Sequence, residues 1–86
     1  MSAGRVLLAE DDGSIALVIR AALEGEEIDV TTCDTTAERN RLLSAEAFDL
    51  LITDVILADN DGIDTLQAVR DGHPDLPVII VSAQNT

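Results

Sequence analysis

Short apolar runs alternate with helical patterns along the whole chain, and this alternation limits the possible folds more than any other feature. Strands joined through helices by short connections pair in parallel, with right-handed crossovers. The pattern predicts an α/β protein with an open, doubly wound parallel sheet. The predicted strands are Arg5–Ala9, Ile28–Cys33, Leu50–Ile52 with its end at Asp54, and Val78–Val81; the predicted helices are Ile15–Leu23, a second one ending at about Glu46, and Ile63–Asp71.

Capping residues and apolar stripes mark the predicted helices. Asp12 or Ser14 is expected to cap the first helix, and Gly25 is expected to stop it. The second begins with a capping box, in which Thr35 and Glu38 satisfy early backbone amides reciprocally. The inward-facing residues are predicted to be Ala37, Leu42, Leu43 and Ala45 in the second helix, and Ile63, Leu66 and Val69 in the third.

The composition describes a small, strongly acidic chain. Seventeen acidic residues against five basic ones give 86 residues a net charge of -12. Such a chain repels nucleic acid and anionic membranes and suits divalent cations or basic partner surfaces. We see no signal-peptide pattern and no apolar run near the roughly 20 residues that span a bilayer. With Cys33 as the single cysteine, we expect a soluble cytoplasmic protein and a buried structural thiol.

Oxygen-bearing side chains follow three of the predicted strands. Glu10 and Asp11 follow the first, Asp54 ends the third, and Ser82 follows the fourth. Parallel strands end at one edge of a sheet, so these groups are expected to meet there. Converging carboxylates repel one another unless a cation neutralises them, and Mg²⁺ suits such oxygen ligands. A carboxylate beside Mg²⁺ can act as a nucleophile and form an aspartyl-phosphate, to which a neighbouring hydroxyl could bond.

Three competing motifs fail on particular residues. No Gly-x-Gly-x-x-Gly sequence follows a strand, which excludes the dinucleotide-binding fingerprint. An EF-hand loop aligned on Gly62 has Leu57 at its first ligand position and Ala68 in place of its closing Glu. A haloacid-dehalogenase-type phosphatase needs a second Asp two residues after the first, where this chain has Ile56.

Three segments together resemble the receiver domain of two-component response regulators. They are Leu7–Asp12, Thr53–Gly62 and Leu76–Ala83, which match that family in order and spacing. The resemblance implies a flavodoxin-like sheet of strand order 2-1-3-4-5. The carboxyl-terminal segment of the chain, Leu76–Thr86, is most similar to that of nitrogen-regulation-type transcriptional activators.

The resemblance also implies roles for individual residues. Asp54 would be the phosphoacceptor, with Glu10 and Asp11 positioning Mg²⁺. The backbone carbonyl of Ile56 would be a further metal ligand, and Ser82 would be the switch hydroxyl.

The function implied is that of a signalling module in a phosphorelay. Its partner would be a sensor histidine kinase, and the full-length parent would regulate transcription. It would catalyse its own phosphorylation and dephosphorylation without being an enzyme in the turnover sense. The alternatives are a phosphorylation-independent pseudo-receiver or interaction scaffold, and a small Mg²⁺-dependent phosphohydrolase.

The chain stops after the fourth predicted strand. We therefore interpret residues 1–86 as a partial receiver domain that lacks the fourth helix, the fifth strand and the fifth helix. The family's phosphate-binding lysine would lie in the missing part. An uncovered edge strand can pair with another chain, so self-association or exchange of elements between protomers is expected.

Overall fold

The computed structural model describes residues 4–54, 57 and 63–81, and for residues 63–65 the backbone alone. Four parallel strands form one sheet in the order β2-β1-β3-β4. The predicted fold class is confirmed. The elements are β1 (Gly4–Ala9), α1 (Gly13–Glu24), β2 (Ile28–Cys33), α2 (Thr36–Ala45), β3 (Leu50–Asp54), α3 (Ile63–Gly72) and β4 (Val78–Val81).

The sheet carries an apolar layer on each face, because successive strand residues point to opposite sides. Leu7 and Leu51 are paired across β1 and β3, and both lie in the layer that includes residues of α2 and α3. Leu8 and Ile52, the next pair along, lie in the layer on the other face, which includes residues of α1. Burying both faces explains why β1 and β3 are apolar runs rather than alternating ones.

Hydrogen bonds from Arg5 fix the starting end of β3 against β1. The backbone N–H of Arg5 donates to the Asp49 carboxylate at 2.8 Å, and the Asp49 N–H donates back to the Arg5 carbonyl at 2.8 Å. The guanidinium also donates to the Ala47 carbonyl at 3.0 Å and lies over the Phe48 ring, 4.9 Å from its centre. These contacts reinforce the register that brings Ala9 opposite Thr53 at the carboxyl ends of the same two strands.

Asp12, the first of the two predicted caps, begins α1. Its carboxylate accepts hydrogen bonds from the backbone N–H of Ser14 at 2.9 Å and of Ile15 at 3.2 Å. The helix therefore starts at Gly13, earlier than predicted. Gly25 is the C-cap, as expected, but has right-handed helical angles, and the left-handed residue of this turn is Glu27, with φ of 62°.

The Thr35 cap of α2 is confirmed, whereas the predicted return bond from Glu38 and part of the predicted inward face are wrong. Thr35 Oγ1 accepts from the Glu38 N–H at 3.1 Å, while both oxygens of the Glu38 carboxylate pair with Arg41 instead of returning to the helix start. Leu42 and Leu43 are buried as predicted, but Ala37 and Ala45 are exposed. The buried stripe runs instead through Thr36, Arg39 and Leu43, at helical spacing. Ala37 is turned away from this stripe, and Ala45 is the last residue of the helix.

The second half of the chain follows the predicted pattern closely. Leu66 and Val69 of α3 are each 5% exposed, and the helix continues one residue beyond its predicted end, to Gly72. The side chain of Ile63 lies outside the described residues. Strand β4 has its predicted bounds and is the last strand on its side of the described sheet.

Candidate functional site

The carboxyl-terminal edge of the sheet collects acidic side chains from two adjacent strands. Ala9, the last residue of β1, pairs with Thr53 of β3. Glu10 directly follows Ala9, and Asp54 directly follows Thr53, so the two acids emerge side by side. Glu10 is held there by its N–H, which donates to the Cys33 carbonyl at the end of β2 at 3.0 Å.

Three carboxylates come within coordination distance of a single ion at this edge. Glu10, Asp11 and Asp54 each offer one oxygen, and the three oxygens all lie within 4.8 Å of one another. Glu10 is buried, Asp54 is half-buried and Asp11 is exposed. The cluster is therefore buried on the side of Glu10 and open to solvent on the side of Asp11.

Glu10 has the most unusual environment of the three acids. Its Oε2 accepts a hydrogen bond from the Asp12 N–H at 3.1 Å, whereas its buried Oε1 has no hydrogen-bond partner among the described residues. Burial raises the pKa of Glu10 above its ordinary value, and the negative charges of Asp54 and Asp11 raise it further, against the lowering effect of the Asp12 N–H. A cation placed among these oxygens would offset the cost of burying the Glu10 carboxylate, provide a partner for its Oε1 and reduce the repulsion from Asp54 and Asp11.

Asp12, by contrast, belongs to the scaffold. Its side chain caps α1 and points its acceptor at two amides of the first turn. It fixes the direction in which the chain leaves the sheet after Glu10 and Asp11. The other predicted site residues, Ile56 and Ser82, lie outside the described residues.

Two buried polar residues that are linked to Asp54 by hydrogen bonds were missed by the sequence analysis. Arg39 of α2 is 0% exposed, and its Nη1 donates to Thr53 Oγ1 at 3.3 Å. The Thr53 hydroxyl, also 0% exposed, donates to the carbonyl oxygen of Asp54 at 2.8 Å. Arg39 stands three residues after Thr36 and four before Leu43, so its helical spacing was the available signal, but a charged residue is ordinarily assigned to the surface.

A comparison with protein families identifies the domain. The model of the "Response regulator receiver domain" family matches residues 6–86. The chain belongs to this family. It is therefore a receiver domain of two-component response regulators, a class of signalling regulators rather than of classical enzymes.

Individual proteins support the same assignment. The DNA-binding transcriptional regulator NtrC of Rhizobium meliloti (strain 1021) is 37% identical over 86 residues, which are 100% of this chain and 18% of that protein. The receiver therefore spans about a fifth of the length of this curated relative.

Solved structures share the receiver's architecture. The MaeR response regulator bound to beryllium trifluoride superposes with a TM-score of 0.83 at 30% identity, covering 100% of this chain and 70% of that one. The response regulator TrrA, in a crystal structure with the histidine kinase ThkA, gives a TM-score of 0.84 at 21% identity over 100% of this chain and 72% of that one, a likeness of fold. Among the described residues of the receiver, no helix has the length and apolar character to cross a membrane.

The raised pKa of Glu10 makes the stability of the receiver depend on pH. A carboxyl whose pKa is higher in the folded state than in the unfolded chain stabilises the fold below the unfolded value and loses that contribution as the pH rises through the folded value. In chelator-treated protein, Glu10→Gln should therefore raise the free energy of unfolding at pH 7, because Gln has the size of Glu but carries no charge to be buried or to be repelled by Asp54 and Asp11. The gain should disappear below the ordinary pKa of 4.5. Urea denaturation across this pH range measures it.

The matched control is Glu26→Gln, which removes the same charge from an exposed turn position. If Glu10→Gln stabilises the chelated protein at pH 7 no more than Glu26→Gln does, burial of Glu10 is not the source of strain at this edge.

Proposed function

We propose that this receiver accepts a phosphoryl group on Asp54, with Mg²⁺ held by Glu10, Asp11 and Asp54. The observation that carries the proposal is the convergence of these three carboxylates within 4.8 Å at the carboxyl-terminal edge of the sheet. Ligands of open α/β sheets bind outside this edge. Membership of the receiver family supports the same assignment.

The donor set fits Mg²⁺. All three side chains present the hard oxygen ligands that Mg²⁺ prefers, and Mg²⁺ keeps water in part of its shell, where a phosphate can also bind. The buried Glu10 Oε1, which has no hydrogen-bond partner among the described residues, is an acceptor that a cation would satisfy. The backbone carbonyl of Ile56 is a proposed further ligand. When bound, Mg²⁺ would offset the negative charge of an incoming phosphoryl group.

Asp54 is suited to be the nucleophile because it ends β3 and is half-buried. One of its carboxylate oxygens would form the new bond to phosphorus, in line with the bond that breaks. With a phosphohistidine donor, the phosphorus–nitrogen bond breaks and its electron pair stays on the imidazole nitrogen. Glu10 and Asp11 keep the site oriented during transfer, and Ser82 is the proposed hydroxyl that bonds the phosphorylated Asp54.

A sensor histidine kinase is the proposed phosphoryl donor, and the proposed setting is the cytoplasm. Support comes from the ThkA–TrrA complex, in which a response regulator of this fold is bound to a histidine kinase. Because NtrC is a transcriptional regulator, we further propose that phosphorylation of this receiver controls transcription in the protein to which it belongs.

Phosphorylation of Asp54 can be detected directly by mass spectrometry. Incubation with Mg²⁺ and a small acyl-phosphate donor should add one phosphate to the intact receiver. Asp54→Asn, which keeps the size and removes the nucleophile, should show none. Asp29→Asn is the matched control at an exposed Asp of β2, and it should retain the adduct.

Two results would contradict the proposal. An adduct that persists in Asp54→Asn would place the phosphate elsewhere. No adduct on the wild-type receiver, even with a kinase-derived phosphohistidine donor, would favour the interaction scaffold as its function.

Self-association through β4 is proposed as well. This strand lies at the edge of the described sheet, and Ile79 and Ile80 are 50% and 43% exposed. Unpaired backbone groups beside exposed apolar side chains can accept a strand from a second molecule. The most direct arrangement joins β4 of one protomer to β4 of its partner.

Sedimentation velocity over a range of concentrations tests this association. The wild-type receiver should shift from monomer to dimer as concentration rises, and Ile79→Lys should remain monomeric because it places a charge at the contact. Thr32→Lys puts the same charge at an exposed position of β2, the other edge of the described sheet, and should still dimerise. A wild-type receiver that stays monomeric at millimolar concentration would rule out pairing through β4.

A further inference from the structure

Arg39 of α2 is a charged residue in the interior of the protein. It contacts Thr53, the residue that precedes the proposed phosphoacceptor Asp54. It is 0% exposed and lies on the buried stripe of α2. Removing a charge from water is costly unless hydrogen bonds compensate for it. The hydrogen bonds of the Arg39 guanidinium include one from Nε to Asn40 Oδ1 at 3.2 Å and one from Nη1 to Thr53 Oγ1 at 3.3 Å.

Thr53 carries this interaction to Asp54. A hydroxyl has one hydrogen to donate and two lone pairs that can accept. The hydrogen of the Thr53 hydroxyl goes to the Asp54 carbonyl oxygen at 2.8 Å, and a lone pair receives the hydrogen of Arg39 Nη1. Hydrogen bonds in such a chain polarise one another, so a cation at one end strengthens the bond at the other.

We infer that Arg39 is a positioning residue for the phosphoacceptor and acts through the Thr53 hydroxyl. The Asp54 carbonyl belongs to the peptide bond with which the chain leaves β3. The orientation of this carbonyl fixes the ψ angle of Asp54, and with it the path of the backbone that carries the carboxylate beside Glu10 and Asp11. The inference rests on the proposed function of Asp54. It adds the series of buried hydrogen bonds, from Arg39 through Thr53, that orients the Asp54 side chain.

The alternative is that Arg39 and Thr53 merely fill the interior. In that case their removal would alter stability without changing the chemistry of Asp54 in the molecules that remain folded. The two roles therefore separate in the rate of phosphorylation, measured under conditions in which each variant is folded.

A double-mutant cycle tests the coupling. Thr53→Val removes the hydroxyl with little change of size, Thr53→Ser restores it, and Arg39→Met removes the cation from a side chain of similar length. Thr53→Val and Arg39→Met should each slow phosphorylation by the acyl-phosphate donor at saturating Mg²⁺ about tenfold, since small errors in positioning are costly to rate. Thr53→Ser should stay within about twofold of wild type, and the double variant should be no slower than either single one, as expected for residues that act in series.

A second readout does not depend on phosphorylation. The ¹³C resonance of the Asp54 backbone carbonyl reports its hydrogen bond with Thr53, and it should move in Thr53→Val and Arg39→Met but not in Thr53→Ser. If the wild-type receiver takes no phosphate, this resonance alone decides whether Arg39 orients Asp54, so failure of the proposed function is distinguishable from failure of the inference.

Either of two results would overturn the inference. One is a folded Thr53→Val protein whose rate and carbonyl resonance match those of wild type. The other is losses from Arg39→Met and Thr53→Val that multiply in the double variant. If Arg39→Met does not fold, the comparison of Thr53→Val with Thr53→Ser decides alone, because both keep the buried cation.

Discussion

The register of β1 against β3 is the constraint on which the site depends. A displacement of one residue would reverse the faces of either strand, sending its apolar side chains to the wrong layer. Pairing of Ala9 with Thr53 brings Glu10 beside Asp54, while Arg5 and Asp49 bond reciprocally at the other end of the same strands. The chemistry at the carboxyl-terminal edge is thus held in place by apolar layers on both faces and by polar contacts at the opposite edge.

This arrangement stabilises a site that is unfavourable in itself. Glu10 is buried, one of its oxygens has no hydrogen-bond partner among the described residues, and two other acids face it. The surrounding packing must offset the resulting repulsion, and a bound cation would remove much of it. The same edge also contains the buried Arg39, whose bond to Thr53 leads to the backbone of Asp54. Charges of opposite sign therefore lie near this edge. The three carboxylates are carried by the ends of β1 and β3, and the Arg39 guanidinium is carried by α2.

Most of the fold could be predicted because the strands are short apolar runs with distinct ends. Ile28–Cys33 and Val78–Val81 have their predicted bounds, and the acids that follow β1 and end β3 were identified from their positions at the ends of apolar runs. The inward face of α2 was harder to predict. Alanine is tolerated on either side of a helix, so Ala37 and Ala45 gave little information about direction.

Arg39 and Thr53 were missed for a related reason. A sequence pattern assigns charged residues to solvent, and only the three-dimensional neighbourhood shows that a threonine hydroxyl on β3 receives the guanidinium. Similarly, the conformation of Gly25 depends on the whole turn, in which Glu27 takes the left-handed position that a glycine would favour.

Titration with Mg²⁺, followed by ¹³C NMR of the side-chain carboxyl groups, tests the central claim most directly. The account predicts that the resonances of Glu10, Asp11 and Asp54 shift together along one saturable curve, while those of the exposed Glu24 and Glu26 change little. A response spread evenly over the exposed acids, or no saturable response from the three, would contradict a common metal site at this edge of the sheet.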